Sequence, residues 1–306
     1  MLALTTALLS LHVGAPPAAG GPLVVVGAGV LGRLVGTRWR SAQGDDAGQV
    51  LAVTRKANPE RDAQFEAQGF TPCRSDALDS TYPHVLFCAS PSGNDDYTAA
   101  VEGALRLWDA GGGGRFVFTS SAGVYAEDGG GTVTEDSPTA DTPRAQKLLS
   151  AERAVLQAGG CVVRLAGLYL LERGAHNAWL GKEAVAQPAD GLINQIEYGD
   201  AADAVLGALL RGEAGRVYLA ADDAPLSRLQ ICEEASRLAL FAGRGLPRFG
   251  ATDAANPARD YGGGRGKVLD SSASREALKW EPTHKTFGAF IDAALLDEQQ
   301  SGAGVA

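Results

Sequence analysis

Two short stretches of this 306-residue sequence carry residue types spaced for chemistry. The first is Gly27, Gly29 and Gly32, a G-x-G-x-x-G set directly behind the apolar run Leu23-Val24-Val25-Val26 and ahead of an amphipathic stretch. In that setting the first glycine permits a tight turn, the second lets backbone approach a pyrophosphate, and the third lets a helix pack on a strand. Val30 and Leu31 complete the turn, and the amides that open a helix offer unpaired N–H groups and partial positive charge to phosphates. The second stretch is "RFVFTSSAGVY", in which Phe116-Val117-Phe118 ends in three hydroxyls, Thr119, Ser120 and Ser121, with Tyr125 four residues beyond the last. It reads as a buried strand delivering hydroxyls to a sheet edge, where they and the nearby Tyr125 are candidates for a catalytic site. An aromatic packed beneath the loop is the other reading of Tyr125.

Past the second apolar strand the chain reads "AVTRKANPE". An NAD site usually has a carboxylate there, about 20 residues beyond the glycines, for the ribose 2′-hydroxyl. Thr54, Arg55 and Lys56 stand in its place. A cation pair suits a 2′-phosphate, which favours NADP over NAD; ordinary solvated loop charges are the alternative.

The elements that must hold these residues alternate. Strands are predicted at Leu23–Val26, Gln49–Val53, near Gly69–Cys73, at His84–Ser90, Arg115–Ser121 and Cys161–Tyr169. Helical stripes lie between them: Leu31, Leu34, Val35 and Trp39; Tyr97, Val101, Leu105 and Trp108; Leu148, Leu149, Val155 and Leu156. That rhythm implies a parallel sheet covered on both faces. Beyond Tyr169 the rhythm breaks, and "INQIEYGDAADAVLGALL" reads as a strand, a turn and a helix with Val205, Leu206, Leu209 and Leu210 inward. A further strand, a helix opened by the capping box Ser227–Gln230, and a last helix closed before Pro282 follow. The glycine runs at 111–114, 129–131 and 262–264 read as surface loops.

Composition narrows the functional classes. The net charge is −9, from 27 basic and 36 acidic side chains. It argues against a general nucleic-acid or anionic-membrane binder, which needs a positive surface. No apolar run is long enough to span a membrane. Cys73, Cys88, Cys161 and Cys232 form no C-x-x-C pair, and the four histidines are scattered, so no metal site is expected. The leader, residues 1–21, is apolar and lacks Lys and Arg, which fits neither a signal nor a transit peptide. It reads as an extension or a truncated targeting segment. The protein is expected to be soluble, in a cytoplasm or an organelle stroma.

The pieces "VVVGAGVLG", "HVLFCAS", "FVFTSSAGVY", "VVRLAGLY", "IEYGDAADAV", "GRVYLAADDAPLS" and "KVLDSSASREALKWEP" occur in an order that resembles the extended or atypical short-chain dehydrogenases/reductases of the NAD-dependent epimerase/dehydratase group, over Pro22 to Ala294. The resemblance implies an α/β fold: a Rossmann doubly wound parallel sheet, residues 22–170, with a small C-terminal substrate-binding lobe, residues 171–306, of which about 194–212 returns to the sheet. It implies Ser121 as the hydroxyl that polarises a substrate oxygen, Asp76 beside adenine, Ala89 and Ser90 on the nicotinamide side, and His176 and Asn177 among substrate contacts. A small-molecule substrate and a homodimer also follow from it. One departure matters. The family's Tyr-x-x-x-Lys opens the helix after the fifth strand, and here that helix reads "TPRAQKLLSAERAVLQ". One register puts Arg144 and Leu148 in the two places, the next Pro143 and Lys147; neither supplies a tyrosine. Three readings stay open: Tyr125 as substitute acid/base, a cofactor-binding sensor or scaffold without catalysis, and Arg144 as anchor for an anionic substrate group.

Overall fold

The computed structural model describes residues 20–43, 48–250 and 264–302. Most of the leader and most of the glycine run at 262–264 lie outside them. The chain opens with β1 (Leu23–Val26), α1 (Val30–Gln43), β2 (Val50–Thr54), α2 (Pro59–Ala67), β3 (Thr71–Arg74), β4 (His84–Phe87), α3 (Tyr97–Leu105) and β5 (Phe116–Ser121). It continues through β6 (Gly129–Val133), α4 (Pro143–Gln157), β7 (Cys161–Leu165), β8 (Gly167–Tyr169), α5 (Ala175–Trp179), β9 (Ala184–Val185), β10 (Leu192–Ile193) and β11 (Gln195–Glu197). Then come α6 (Tyr198–Arg211), β12 (Val217–Ala220), β13 (Leu226–Ser227), α7 (Arg228–Ala235), β14 (Arg248–Phe249), β15 (Gly266–Leu269), α8 (Ser272–Leu278) and α9 (Phe287–Gly302).

Seven strands form one parallel sheet in the order β3-β2-β1-β4-β5-β7-β12. Alternation along each strand explains why both faces need cover. Val24, Val53, Val85, Phe87, Phe116, Phe118 and Val162 point to the side packed by α3 and α4. Leu23, Val25, Ala52, Leu86, Val117, Val163 and Leu219 point to the side packed by α1 and α6. The helices start where polar side chains satisfy their first amides: Asn58 accepts from Arg61 N, Asp96 from Ala99 N and Thr142 from Ala145 N. Ser227 and Gln230 form the expected capping box on α7. A third apolar cluster, with Tyr169, Leu180, Ile231, Leu238, Phe241, Phe287 and Ile291, is the core of a smaller lobe built on α5, α7 and α9.

Three expectations change. The strand expected over Cys161–Tyr169 is broken at Ala166: its amide still bonds Ala220 O of the large sheet, while Gly167 N bonds Asn194 O and β8 pairs with β11 instead. The seventh strand of the sheet, Val217–Ala220, comes from beyond residue 212, so more of the C-terminal half returns to the sheet than 194–212. Gly129–Gly131 is not a loop but the start of β6, paired in parallel with β15. No described helix is long and apolar enough to cross a membrane.

Candidate functional site

β1 lies between β2 and β4, and the connections from β1 and β4 leave for opposite sides of the sheet. Clefts at such a switch point, outside the carboxyl ends of the strands, are the binding sites of open α/β sheets. The glycine turn sits there, and its three glycines are needed for three reasons. Gly27 has φ +93°, and a Cβ on it would stand 2.4 Å from the Ala89 amide nitrogen. On Gly32 a Cβ would come within 2.9 Å of Cys88 Sγ and Val25 Cγ1. On Gly29 a Cβ would meet no protein atom closer than Gly27 O at 3.9 Å. So two glycines are fixed by packing against the protein, while the third faces open space. Hydrogen bonds fix the turn: Gly27 N donates to Val53 O, Gly29 N to Gly27 O, and the Cys88 thiol to Gly27 O at 3.1 Å. The next amides, of Val30, Leu31 and Gly32, open α1 and have no carbonyl a turn earlier to bond.

From this turn a cleft of about 1340 Å³ runs both ways along the strand ends. On one side it is lined by Thr54, Arg55, Arg61 and Asp76. The Thr54 hydroxyl accepts from Arg61 Nη2 and Arg74 Nη1, each at 3.0 Å, and Arg74 pairs with Asp62. Arg55 reaches across to Gly93 O at 3.4 Å. Arg61, in the first turn of α2, was not singled out from sequence; only its closeness to Arg55 and Lys56 signalled it.

On the other side the lining passes Ala89, Ser90 and Ser121 to Arg144, Lys147, Arg173 and Tyr198. The strand's alternation separates the three hydroxyls. Ser120 shares the face of Phe118, and its hydroxyl donates to Glu152 Oε1 of α4 at 2.5 Å. Glu152 is in turn held by Arg164 of β7, Nη2 to Oε2 at 2.7 Å, with both side chains buried. Thr119 bonds Phe87 O. Ser121 stays in the cleft, accepting from Gly123 N at 3.1 Å and so keeping its own proton to give. Lys147 donates to Pro91 O at 3.2 Å and Asn94 O at 2.5 Å, tying α4 to the loop after β4.

Three expected site residues lie elsewhere. Tyr125 is 2% exposed and does not line the cleft; its hydroxyl donates to Glu135 O at 3.2 Å, and the Arg164 guanidinium stacks 4.8 Å from its ring centroid. Burial raises its pKa, against the pull of Arg164, so it is poorly suited to proton transfer. The physical cause is a 3₁₀ turn over Ala122–Val124 that rotates the chain away after Ser121. His176 is wholly buried between Phe241 and Phe287, with Nε2 2.9 Å from Leu171 O, and burial lowers its pKa. Asn177 donates to the same carbonyl at 3.2 Å. Both tie the turn before α5 to the core of the small lobe. Arg173 and Tyr198 were absent from the expected set: no motif carries Arg173, and Tyr198 was passed over within "IEYGDAADAV"; Lys147 entered only as one of two registers for the helix lysine.

No protein-family model and no curated protein sequence matches the chain. Solved structures do. A conserved protein of unknown function from Silicibacter pomeroyi superposes with a TM-score of 0.72 and 22% identity, over 90% of this chain and 99% of that one. UDP-glucuronic acid 4-epimerase from Bacillus cereus, solved with NAD, matches at 0.64 and 16% identity, over 89% and 96%. dTDP-glucose 4,6-dehydratase from Bacillus anthracis, also solved with NAD, matches at 0.68 and 18%, over 89% and 94%. The fold is therefore the Rossmann fold shared with NAD-dependent epimerases and dehydratases.

Proposed function

We propose that the protein binds a nicotinamide dinucleotide and acts as an oxidoreductase or isomerase of the epimerase/dehydratase type. The observation that carries this is the glycine turn at the switch point, crowded at Gly27 and Gly32 and open at Gly29. That is the shape a diphosphate needs: space above one glycine and helix amides behind it. Thr54, Arg55 and Arg61 would hold the adenosine ribose, and the absence of a carboxylate at the end of β2 supports NADP. The structural neighbours solved with NAD support the nicotinamide class alone. Asp76 would face the adenine, and Ala89 and Ser90 the nicotinamide. When bound, the dinucleotide supplies a hydride donor or acceptor. Ser121 donates a hydrogen bond to the substrate's carbonyl or alcohol oxygen, and Lys147 holds the loop over Pro91–Asn94 at the mouth of the cleft.

A second reading, a dinucleotide-binding sensor without turnover, is favoured by one observation. The first two turns of α4 present Pro143, Arg144 and Lys147, with no phenol, and Tyr125 is turned away from Ser121. Titration with NADPH and NADH, followed by nicotinamide fluorescence, tests both readings together. Binding of NADPH more tightly than NADH is expected, with the difference reduced in Arg55→Ala; failure to bind either removes both readings. Turnover on a carbonyl and sugar-nucleotide panel, lost in Ser121→Ala with cofactor affinity retained, separates the enzyme from the sensor.

A further inference from the structure

With 36 acidic against 27 basic side chains, a wall lined at random would hold more carboxylates than cations. The cleft reverses this. Its charged lining among the described residues is Arg55, Arg61, Arg106, Arg144, Lys147 and Arg173 against Asp76 and Asp79. Both carboxylates follow β3, at the adenosine side. Beyond Ser121 the cleft offers Arg144, Lys147 and Arg173 and no acid.

These three cations are not equivalent. Lys147 is committed to the carbonyls of Pro91 and Asn94. Other arginines of the fold are likewise engaged: Arg38 with Asp203, Arg115 with Gly212 O, Arg164 with Glu152. The guanidinium groups of Arg144 and Arg173 make no hydrogen bond or ion pair with any described residue, and both side chains are exposed to the cleft. Arg173 is nonetheless placed. Its backbone exchanges two hydrogen bonds with Leu170, at 2.8 and 3.1 Å, and its guanidinium sits 5.7 Å from the centroid of the Tyr198 ring. A cation over an aromatic face is oriented while all its N–H groups stay available. Arg144 is carried on the first turn of α4 and lines the same cleft.

We propose that Arg144 and Arg173 form an oxyanion receptor at this end of the cleft, taking the carboxylate or phosphoryl group of the substrate whose carbonyl or alcohol meets Ser121. A guanidinium is a planar fork matched to both groups, and both arginines line the carboxylate-free end of the cleft with their N–H groups uncommitted to protein. This rests on the nicotinamide reading of the cleft, which places a reacting centre beside Ser121.

Calorimetric titration of the full-length protein, with and without saturating NADPH, tests the receptor with sodium malonate, inorganic phosphate and neutral malonamide at fixed ionic strength. Malonate or phosphate is expected to bind and malonamide not. Arg144→Ala and Arg173→Ala should each weaken anion binding about tenfold or more, with NADPH affinity unchanged. Arg153→Ala, on the exposed side of α4, should match the wild type. Stronger binding of phosphate assigns a phosphoryl substrate and stronger binding of malonate a carboxylate. Equal binding of malonamide, or full anion affinity in the Arg144→Ala/Arg173→Ala double variant, overturns the proposal. NADPH binding without anion binding sinks the receptor alone; anion binding without NADPH binding sinks the nicotinamide reading and leaves the receptor.

Discussion

Gly27 and Gly29 stand two residues apart and should fail differently when given a side chain. Gly27→Ala forces an L-residue to φ +93° and drives its Cβ to 2.4 Å from backbone at Ala89. Neither atom can yield, so a loss of roughly 2 kcal/mol or more is expected, several degrees in thermal midpoint. Gly29→Ala meets no protein atom inside 3.9 Å. It should keep the wild-type midpoint within about a degree, since surface changes of this kind stay within ±0.5 kcal/mol, yet weaken dinucleotide binding severely. If Gly29→Ala binds NADPH as the wild type does, the turn is not a phosphate cradle. The glycine roles were legible in the sequence because they are local: turn, strand and helix lie within a dozen residues. The fate of the hydroxyls was only half legible. Alternation along β5 predicts that Ser120 and Ser121 face opposite ways, but Glu152, which claims Ser120, is 32 residues off, and the turn that withdraws Tyr125 follows no sequence rule.

At the scale of elements, β5, α4 and β7 are joined by the buried set Ser120, Glu152 and Arg164, while Tyr125, Glu135 and Ser274 extend it to the loop after β6 and to α8. A buried pair of this kind is weak evidence for stability, whereas breaking it leaves an uncompensated charge. Arg164→Met alone should cost about 3–5 kcal/mol; Glu152→Leu/Arg164→Met should recover much of that loss. Additive losses in denaturant melts would show the pair to be uncoupled. A second junction titrates. Asp222, after β12, is buried, and its Oδ2 accepts from the Tyr169 hydroxyl of β8 at 2.9 Å. Burial above all pushes its carboxyl up to about 8; the Tyr169 hydroxyl and Arg275 oppose this, and Asp200 and Glu197 add to it. The folded state therefore keeps a proton that the unfolded chain, near the ordinary 3.8, has released. Stability from this group is fully present below about pH 4, falls as pH rises, and levels off above about pH 8. Asp222→Asn keeps the acceptor for Tyr169 and removes the slope, so its melting advantage over the wild type should widen from pH 5 to pH 8. Parallel curves would refute the buried proton. The strand and helix rhythm up to β7 was readable from periodicity, and so were strands at β11 and β12; which sheet β8, β11 and β12 join was not, since a chain leaving one sheet for another at Ala166 keeps the same apolar alternation.

Over the whole molecule, two fields of opposite sign compete for an anionic ligand. The net charge of −9 repels a phosphorylated dinucleotide at a distance, while Arg55 and Arg61 and the opening amides of α1 attract it at contact. Salt separates them. At physiological ionic strength the screening length is about 8 Å, shorter than the reach of the global field but longer than the separation of groups in contact across the cleft wall. If the global charge governed, added salt would relieve repulsion and tighten NADPH binding. The cation-lined cleft predicts the reverse: the dissociation constant for NADPH should rise steadily between low and physiological salt, and more steeply than that for NADH, which lacks the 2′-phosphate. Arg55→Ala and Arg61→Ala should flatten the NADPH curve toward the NADH one without altering NADH itself. Identical salt curves for the two cofactors would assign both arginines to the packing around Thr54 and leave the choice of dinucleotide to other groups.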